Sequence, residues 1–174
     1  MTSEMMANPP YILGIDPGLS GAMALLSIDD GALLTICDTP TVGKTLNVYG
    51  VGSWLDAHSH QIKHAVVEEV HAMPGQGVSS MFKFGFVTGA IHGALGAMLI
   101  PITTVPPSTW KRQMRLPADK DASRALAMRL FPRHHALFAR KKDDGRAESA
   151  LLAEWWRRHN NENSQGRRGA PERA

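Results

Sequence analysis

The apolar positions of the chain change their period several times, and each change marks an element. Residues 11–15 (YILGI) form an apolar run that halts at Asp16, Pro17 and Gly18, the pattern of a buried strand entering a turn. Residues 22–28 predict a second strand, Asp29, Asp30 and Gly31 a hairpin turn, and residues 32–37 a third strand. Val48, Val51, Trp54 and Leu55 recur at helical spacing across 47–57, although Gly50 and Gly52 weaken that helix. Residues 64–70 predict a fourth strand carrying Glu68 and Glu69 near its end, 79–99 a long Gly- and Ala-rich helix, and 100–105 a fifth strand. Ser108 is expected to cap a short helix through Met114, and Asp119 to cap another that reaches Phe131 and stops at Pro132. A last helix is predicted from Asp144 or Gly145 to Arg158. Residues 1–9 read as a loose arm and 159–174 as a polar, disordered tail, which leaves 10–158 as the folded domain.

Three meander strands followed by helix, strand, helix, strand and further helices predict an α/β fold with a five-stranded mixed sheet flanked by helices. The meander excludes a simple doubly wound parallel sheet. Composition narrows the picture without deciding it. The 174 residues suit one domain, with 43% hydrophobic and 20% charged residues and a net charge of +3. A mild basic excess, with a pI near 9.2, suits a polyanionic partner. The single Cys37 rules out an internal disulfide and a Cys-rich zinc site and is compatible with a reducing cytosol. A cytoplasmic setting in a bacterial or phage-infected cell is expected, with an organellar matrix as the alternative. No secretory signal and no apolar stretch near the roughly 18 residues of a membrane span is visible, so no membrane partner is expected.

The candidate chemistry lies in carboxylates at element ends. Asp16 closes the first strand, Glu68 and Glu69 the fourth, and Asp143, Asp144 and Glu148 open the last helix. Asp144 and Glu148 stand four apart and share a helix face. If strands one and four are neighbours and the last helix crosses their ends, these groups meet. Clustered carboxylates need a compensating cation, and hard oxygen donors suit Mg²⁺ or Mn²⁺, two of which can activate water and stabilise a leaving oxygen in phosphodiester cleavage. Each residue also has a plainer reading: Asp16 as a turn former, Glu69 as a solvated charge on the opposite strand face, Asp143 and Asp144 as helix cap and dipole partner.

The ordered segments Ile12-Leu13-Gly14-Ile15-Asp16-Pro17-Gly18, Val67-Glu68-Glu69-Val70-His71-Ala72-Met73, Lys83-Phe84-Gly85 to Thr88-Gly89, Val105-Pro106-Pro107-Ser108-Thr109-Trp110-Lys111, Asp119-Lys120 and Asp144-Gly145-Arg146-Ala147-Glu148-Ser149-Ala150 resemble the RuvC family of crossover junction endodeoxyribonucleases, especially its phage-type relatives. They span roughly residues 11–156. The resemblance implies an RNase H-like fold and a homodimer that places paired nicks in branched DNA, chiefly four-way (Holliday) junctions, with Mg²⁺ or Mn²⁺, two ions per active site. It carries metal carboxylates onto Asp16, Glu68 and Glu148. The family's remaining ligand sits three residues before the last, where this chain has Gly145; Asp144 is the natural substitute, ahead of Asp143. Lys111 and Lys120 match family lysines near the scissile phosphate, where they would neutralise developing charge.

Gln76, Ser79, Ser80 and Lys83, in and after the loop that follows the fourth strand, are candidate phosphate contacts, and Met81, Phe82 or Phe84 candidate wedges into an opened junction. Arg140, Lys141, Lys142 and Arg146 form a basic cluster that could draw DNA towards the acids. Gly85, Gly89, Gly93 and Gly96 line one side of the long helix and permit close approach of either the sheet or a second subunit. Two rival readings stay open: a DNA-binding relative whose metal site is lost at Gly145, and a fragment of an actin-like kinase or ATPase, for which the chain is too short to supply two domains.

Overall fold

The computed structural model describes residues 10–69, 75, 77–117, 119 and 121–168, with side chains as far as Asn160. The strands are β1 (Tyr11–Asp16), β2 (Ala22–Ser27), β3 (Leu33–Asp38), β4 (Thr41–Val42), β5 (Thr45–Leu46), β6 (Ile62–Glu68) and β7 (Ile102–Val105), and the helices α1 (Val48–His58), α2 (Val78–Ala97), α3 (Pro107–Gln113), α4 (Ala122–Leu130) and α5 (Asp144–Arg168). Five strands make one sheet in the order β3-β2-β1-β6-β7. β1 pairs antiparallel with β2, and β2 with β3, whereas β6 runs parallel to both β1 and β7. This is the expected mixed sheet, a meander followed by parallel strands joined through helices.

Alternation along the strands divides the core. Leu13, Ile15, Leu25, Ala65 and Val67 pack with Val51 and Leu55 of α1 and with Val87, Ile91 and Leu95 of α2. Ile12, Ala24, Leu26 and Val66 point to the other face and pack with Trp110, Ala127, Phe131 and the Ala147, Ala150 and Leu151 side of α5. Covering both faces explains why the sequence of β1 reads as a continuous apolar run instead of an alternation. Gly14 decides how closely α5 lies on β1: a Cβ there would fall on the Ser149 carbonyl oxygen and 2.8 Å from Ala153 N.

Most predicted strands and helices shift by one or two residues at their ends, and several expectations are corrected. Ser108 is not a cap, because Pro107 already begins α3 and Pro106 is its N-cap residue; proline suits the first turn, where its missing N–H has no partner to lose. Asp119 does not cap α4. Its Oδ1 accepts from Asp121 N at 3.0 Å, and the helix starts at Ala122. In α1 only Val51 and Leu55 are buried, while Val48 faces solvent. Helix α5 continues to Arg168, through ten residues of the stretch expected to be a tail. The small β4–β5 hairpin was not anticipated. Val70 and His71 lie outside the described residues. Among the described residues, no helix is long and apolar enough to cross a membrane.

Candidate active site

The parallel pairing of β1 and β6 runs Gly14 with Val66 and Ile15 with Val67. One residue further on, the two strands end side by side in Asp16 and Glu68. Carboxyl ends of adjacent parallel strands are where α/β folds place ligands, and here each strand delivers an acid. Both residues follow the strand face that holds Ile12 and Val66, so both turn towards α5.

The first turn of α5 closes the site. A Cβ on Gly145 would stand 2.9 Å from Asp16 Oδ2, 2.6 Å from the Ser20 carbonyl oxygen and 2.8 Å from Gly21 Cα. The position that carries a ligand in the resembled family therefore has no room for a side chain, because the helix backbone itself presses on Asp16 and on the β1–β2 turn. Asp144 and Glu148 flank this glycine at helical spacing, and their charges reach Asp16. Burial, then Glu68 and Glu148, raise the Asp16 carboxyl to about 7; Asp144 adds to the rise and Lys111 opposes it. Glu68 is raised by burial and then by Glu148, against Lys111 and a hydrogen bond from Trp110. Four carboxylates from three parts of the chain thus share one electrostatic environment.

Several polar side chains hold this group. Lys111 Nζ lies 2.6 Å from Glu148 Oε1 and 5.2 Å from the Trp110 ring centroid. Ser123 Oγ donates to the same Glu148 oxygen at 3.2 Å. The buried Trp110 donates from Nε1 to Glu68 Oε1 at 3.3 Å. Arg124, 8% exposed, places Nη2 2.5 Å from Asp121 Oδ1 and Nε 2.9 Å from Asp144 Oδ1. That last contact lacks hydrogen-bond alignment, which leaves Asp144 Oδ1 a buried acceptor with no hydrogen bond.

Asp143 is a different case. It is 1% exposed and accepts from Arg140 N at 2.9 Å and from Arg140 Nη2 at 2.8 Å. Arg140 beside it holds its carboxyl below the ordinary value, and it serves as the cap of a short turn. Asp144, not Asp143, belongs to the acidic group. The basic cluster also divides. Arg140 is committed to Asp143, and Arg146 grips Asp38 with Nε and Nη2, both at 2.5 Å. Lys141 and Lys142 remain exposed on the turn before α5, and Ser79, Ser80 and Lys83 are exposed on the opening turns of α2. Gln76 and Lys120 lie outside the described residues.

The roles of Trp110, Ser123, Arg124 and Gly14 escaped the sequence reading, and Gly145 was read only as a missing ligand, not as a point of close approach. Each acts through a partner distant along the chain, and only the adjacency of Trp110 to Lys111 offered a hint.

No protein-family model matches the chain. Among curated proteins it is 30% identical, over 79% of its length, to the chloroplastic Holliday junction resolvase MOC1 of Chlamydomonas reinhardtii, and it spans 14% of that longer protein. Among solved structures, RuvC of Thermus thermophilus in complex with a Holliday junction substrate superposes with a TM-score of 0.61 at 16% identity, covering 86% of this chain and 96% of that one. The fowlpox virus Holliday junction resolvase gives a TM-score of 0.53 at 18% identity, covering 86% and 99%. With the mixed sheet and the acids at its carboxyl edge, these similarities show an RNase H-like fold, and the chain is similar to Holliday junction resolvases.

Proposed function

We propose that this chain is a metal-dependent endonuclease that hydrolyses phosphodiester bonds in branched DNA, four-way junctions above all, and that it acts as a homodimer making paired nicks. The observation that carries the proposal is the meeting of Asp16 and Glu68, at the ends of neighbouring strands, with Asp144 and Glu148 on the first turn of α5. The resolvases it resembles act on such junctions, as their names state.

The donor set fits a hard divalent cation, Mg²⁺ or Mn²⁺: all oxygen, mutually repulsive, and including Asp144 Oδ1, which is buried and held only by the Arg124 ion pair. Asp16, Glu68, Asp144 and Glu148 would hold the metal, which supplies an activated water and a counter-charge for the leaving oxygen. Among the described residues no three acids yet stand close enough to share an ion, and Lys111 supplies the cation on Glu148. In the working enzyme Lys111 leaves Glu148 for the scissile phosphate, where its charge offsets that of the transition state. Trp110 keeps Glu68 oriented. Lys120 is proposed for the same phosphate as Lys111. Gln76, Ser79, Ser80, Lys83, Lys141 and Lys142 contact flanking phosphates, and Phe82, 76% exposed, wedges into the opened junction.

A synthetic four-way junction incubated with Mg²⁺ or Mn²⁺ tests the reading: paired nicks are expected, and Asp16→Asn abolishes them. The crowding at Gly145 favours one alternative, a relative that binds junctions without cutting. Tight binding with no nicking under either metal would select it.

A further inference from the structure

A second groove lies beside the acidic site, on the other flank of the β1–β2 turn. Its volume is about 650 Å³, and Ser20, Thr41, Lys44, Ser80 and Lys83 line it with the apolar side of Phe84 as one wall. Among the described residues, no carboxylate lines it. Three separate pieces of chain build it: the turn after β1, the β4–β5 hairpin and the opening turns of α2.

The hairpin is fixed at both ends. Thr39 N donates to the Gly21 carbonyl at 2.9 Å, and Asn47 N donates to the Pro40 carbonyl at 2.9 Å. Leu46 is 6% exposed and anchors the second strand in the core. Gly43, at φ +60°, allows the tight reversal that puts Lys44 at the tip, a conformation that L side chains other than Asn and Asp seldom adopt. A two-residue strand pair has little stability alone. Here it is an anchored arm whose exposed cation faces another exposed cation on α2.

We propose that this groove seats the phosphate backbone of one DNA strand on its way to the acidic site, with Lys44 on the hairpin and Lys83 on α2 as its two cationic contacts. The occupant follows from charge and continuity. Neither lysine has an ion-pair partner among the described residues, whereas Arg124, Arg140 and Arg146 are all paired. The hydroxyls of Ser20, Thr41 and Ser80 can donate to phosphate oxygens, and Phe84 can lie against sugar or base. Gly18 and Ser20 line the groove, while the same turn bears Asp16 at its start and meets Gly145 on its other side. A strand in the groove is therefore led to the carboxylates by cations placed before them, which offsets the repulsion those carboxylates exert on phosphate. The proposal rests on the junction-nuclease reading.

The test measures binding without cutting. The parent is the full chain carrying Asp16→Asn, titrated with a labelled four-way junction across a salt series. Lys44→Ala and Lys83→Ala are compared with Lys63→Ala, an exposed lysine at the opposite end of β6. From a slope of about 0.9 per phosphate, each groove lysine should be worth roughly eightfold in Kd near 0.1 M salt, and its loss should lower the salt slope by about one. Lys63→Ala should change neither. Lys44→Arg should bind like the parent, which separates charge from folding, and melting curves should coincide because both groove lysines are exposed. If the parent binds and both groove variants bind equally well, the groove proposal is overturned while the nuclease reading stands. If the parent does not bind the junction at all, the reading beneath it fails as well.

Discussion

Asp16 is an acid whose surroundings oppose its ionisation, and that has a consequence for stability. Its folded-state carboxyl is raised from 3.8 to about 7, so between those values the folded chain holds a proton that the unfolded chain has released. The unfolded state then binds fewer protons, and stability falls as pH rises through that window. Glu68 is shifted in the same direction. Asp38 and Asp143, lowered by Arg146 and Arg140, act oppositely and lose their contribution as pH falls through their depressed values. The metal-free chain should accordingly show a decline in Tm from about pH 4 to pH 7 that is shallower in Asp16→Asn, and Mn²⁺ should restore Tm in the parent only. A decline unchanged by Asp16→Asn would remove Asp16 from the coupled group. Arg124 is testable at the same scale. It reaches Asp144, Asp121 and the Ala139 carbonyl together, so Arg124→Ala frees the Asp144 side chain. Groups of this kind behind metal ligands usually matter about 10–100-fold in metal affinity. A loss of that order in Mn²⁺ titration is expected, with Arg124→Lys recovering part of it.

At the scale of elements, the site depends on how tightly α5 lies across β1. Gly14 and Gly145 are two points of contact along that crossing, one under Ser149 and Ala153, the other against Asp16 and the turn. Backbone atoms meet at both, so a methyl group cannot be absorbed by rotating a side chain. Gly14→Ala should cost about 1–3 kcal/mol or more in urea unfolding and should reduce cleavage beyond its effect on folding, since it lifts the helix that carries Asp144 and Glu148. An unchanged midpoint would mean that α5 is less closely seated than described. The elements themselves were largely readable from the sequence. An apolar run ending in Asp-Pro-Gly, another ending in two glutamates and an acid pair at helix spacing marked carboxylates at element ends, and the resemblance to the RuvC family pointed among them to Asp16, Glu68 and Glu148, with Asp144 as the substitute for the remaining ligand. What was hidden depended on partners far along the chain. Arg146 reads as a free cation until Asp38, 108 residues away, is found against it. Ser123 and Arg124 sit in an unremarkable first turn of α4 until α5 packs beside them. The β4–β5 hairpin is too short to show a period, and the polar end of α5 has no apolar stripe beyond Trp156 to reveal its helix.

At the scale of the whole molecule, α2 poses the remaining physical question. Gly85, Gly89, Gly93 and Gly96 recur along one exposed stripe, and a Cβ on any of them would meet nothing within 4 Å. Each glycine inside a helix costs about 0.8–1 kcal/mol relative to alanine, and no contact among the described residues calls for glycine there. Val78, Phe82 and Phe86 stand exposed on the same helix at 79%, 76% and 49%. A close helix contact with a second copy would account for both the glycines and the exposed apolar groups, and a second copy is what the proposed paired nicks need. Gly89→Leu separates this from a purely local explanation. In an isolated chain the leucine finds open space and should leave Tm unchanged or raise it. In a dimer packed through this stripe it enters the partner's backbone. Sedimentation should then give about twice the 18.9 kDa chain mass for the parent and the single mass for Gly89→Leu, and paired cleavage of the junction should give way to isolated nicks. A Gly89→Leu chain that stays dimeric and cuts in pairs would move the interface away from α2.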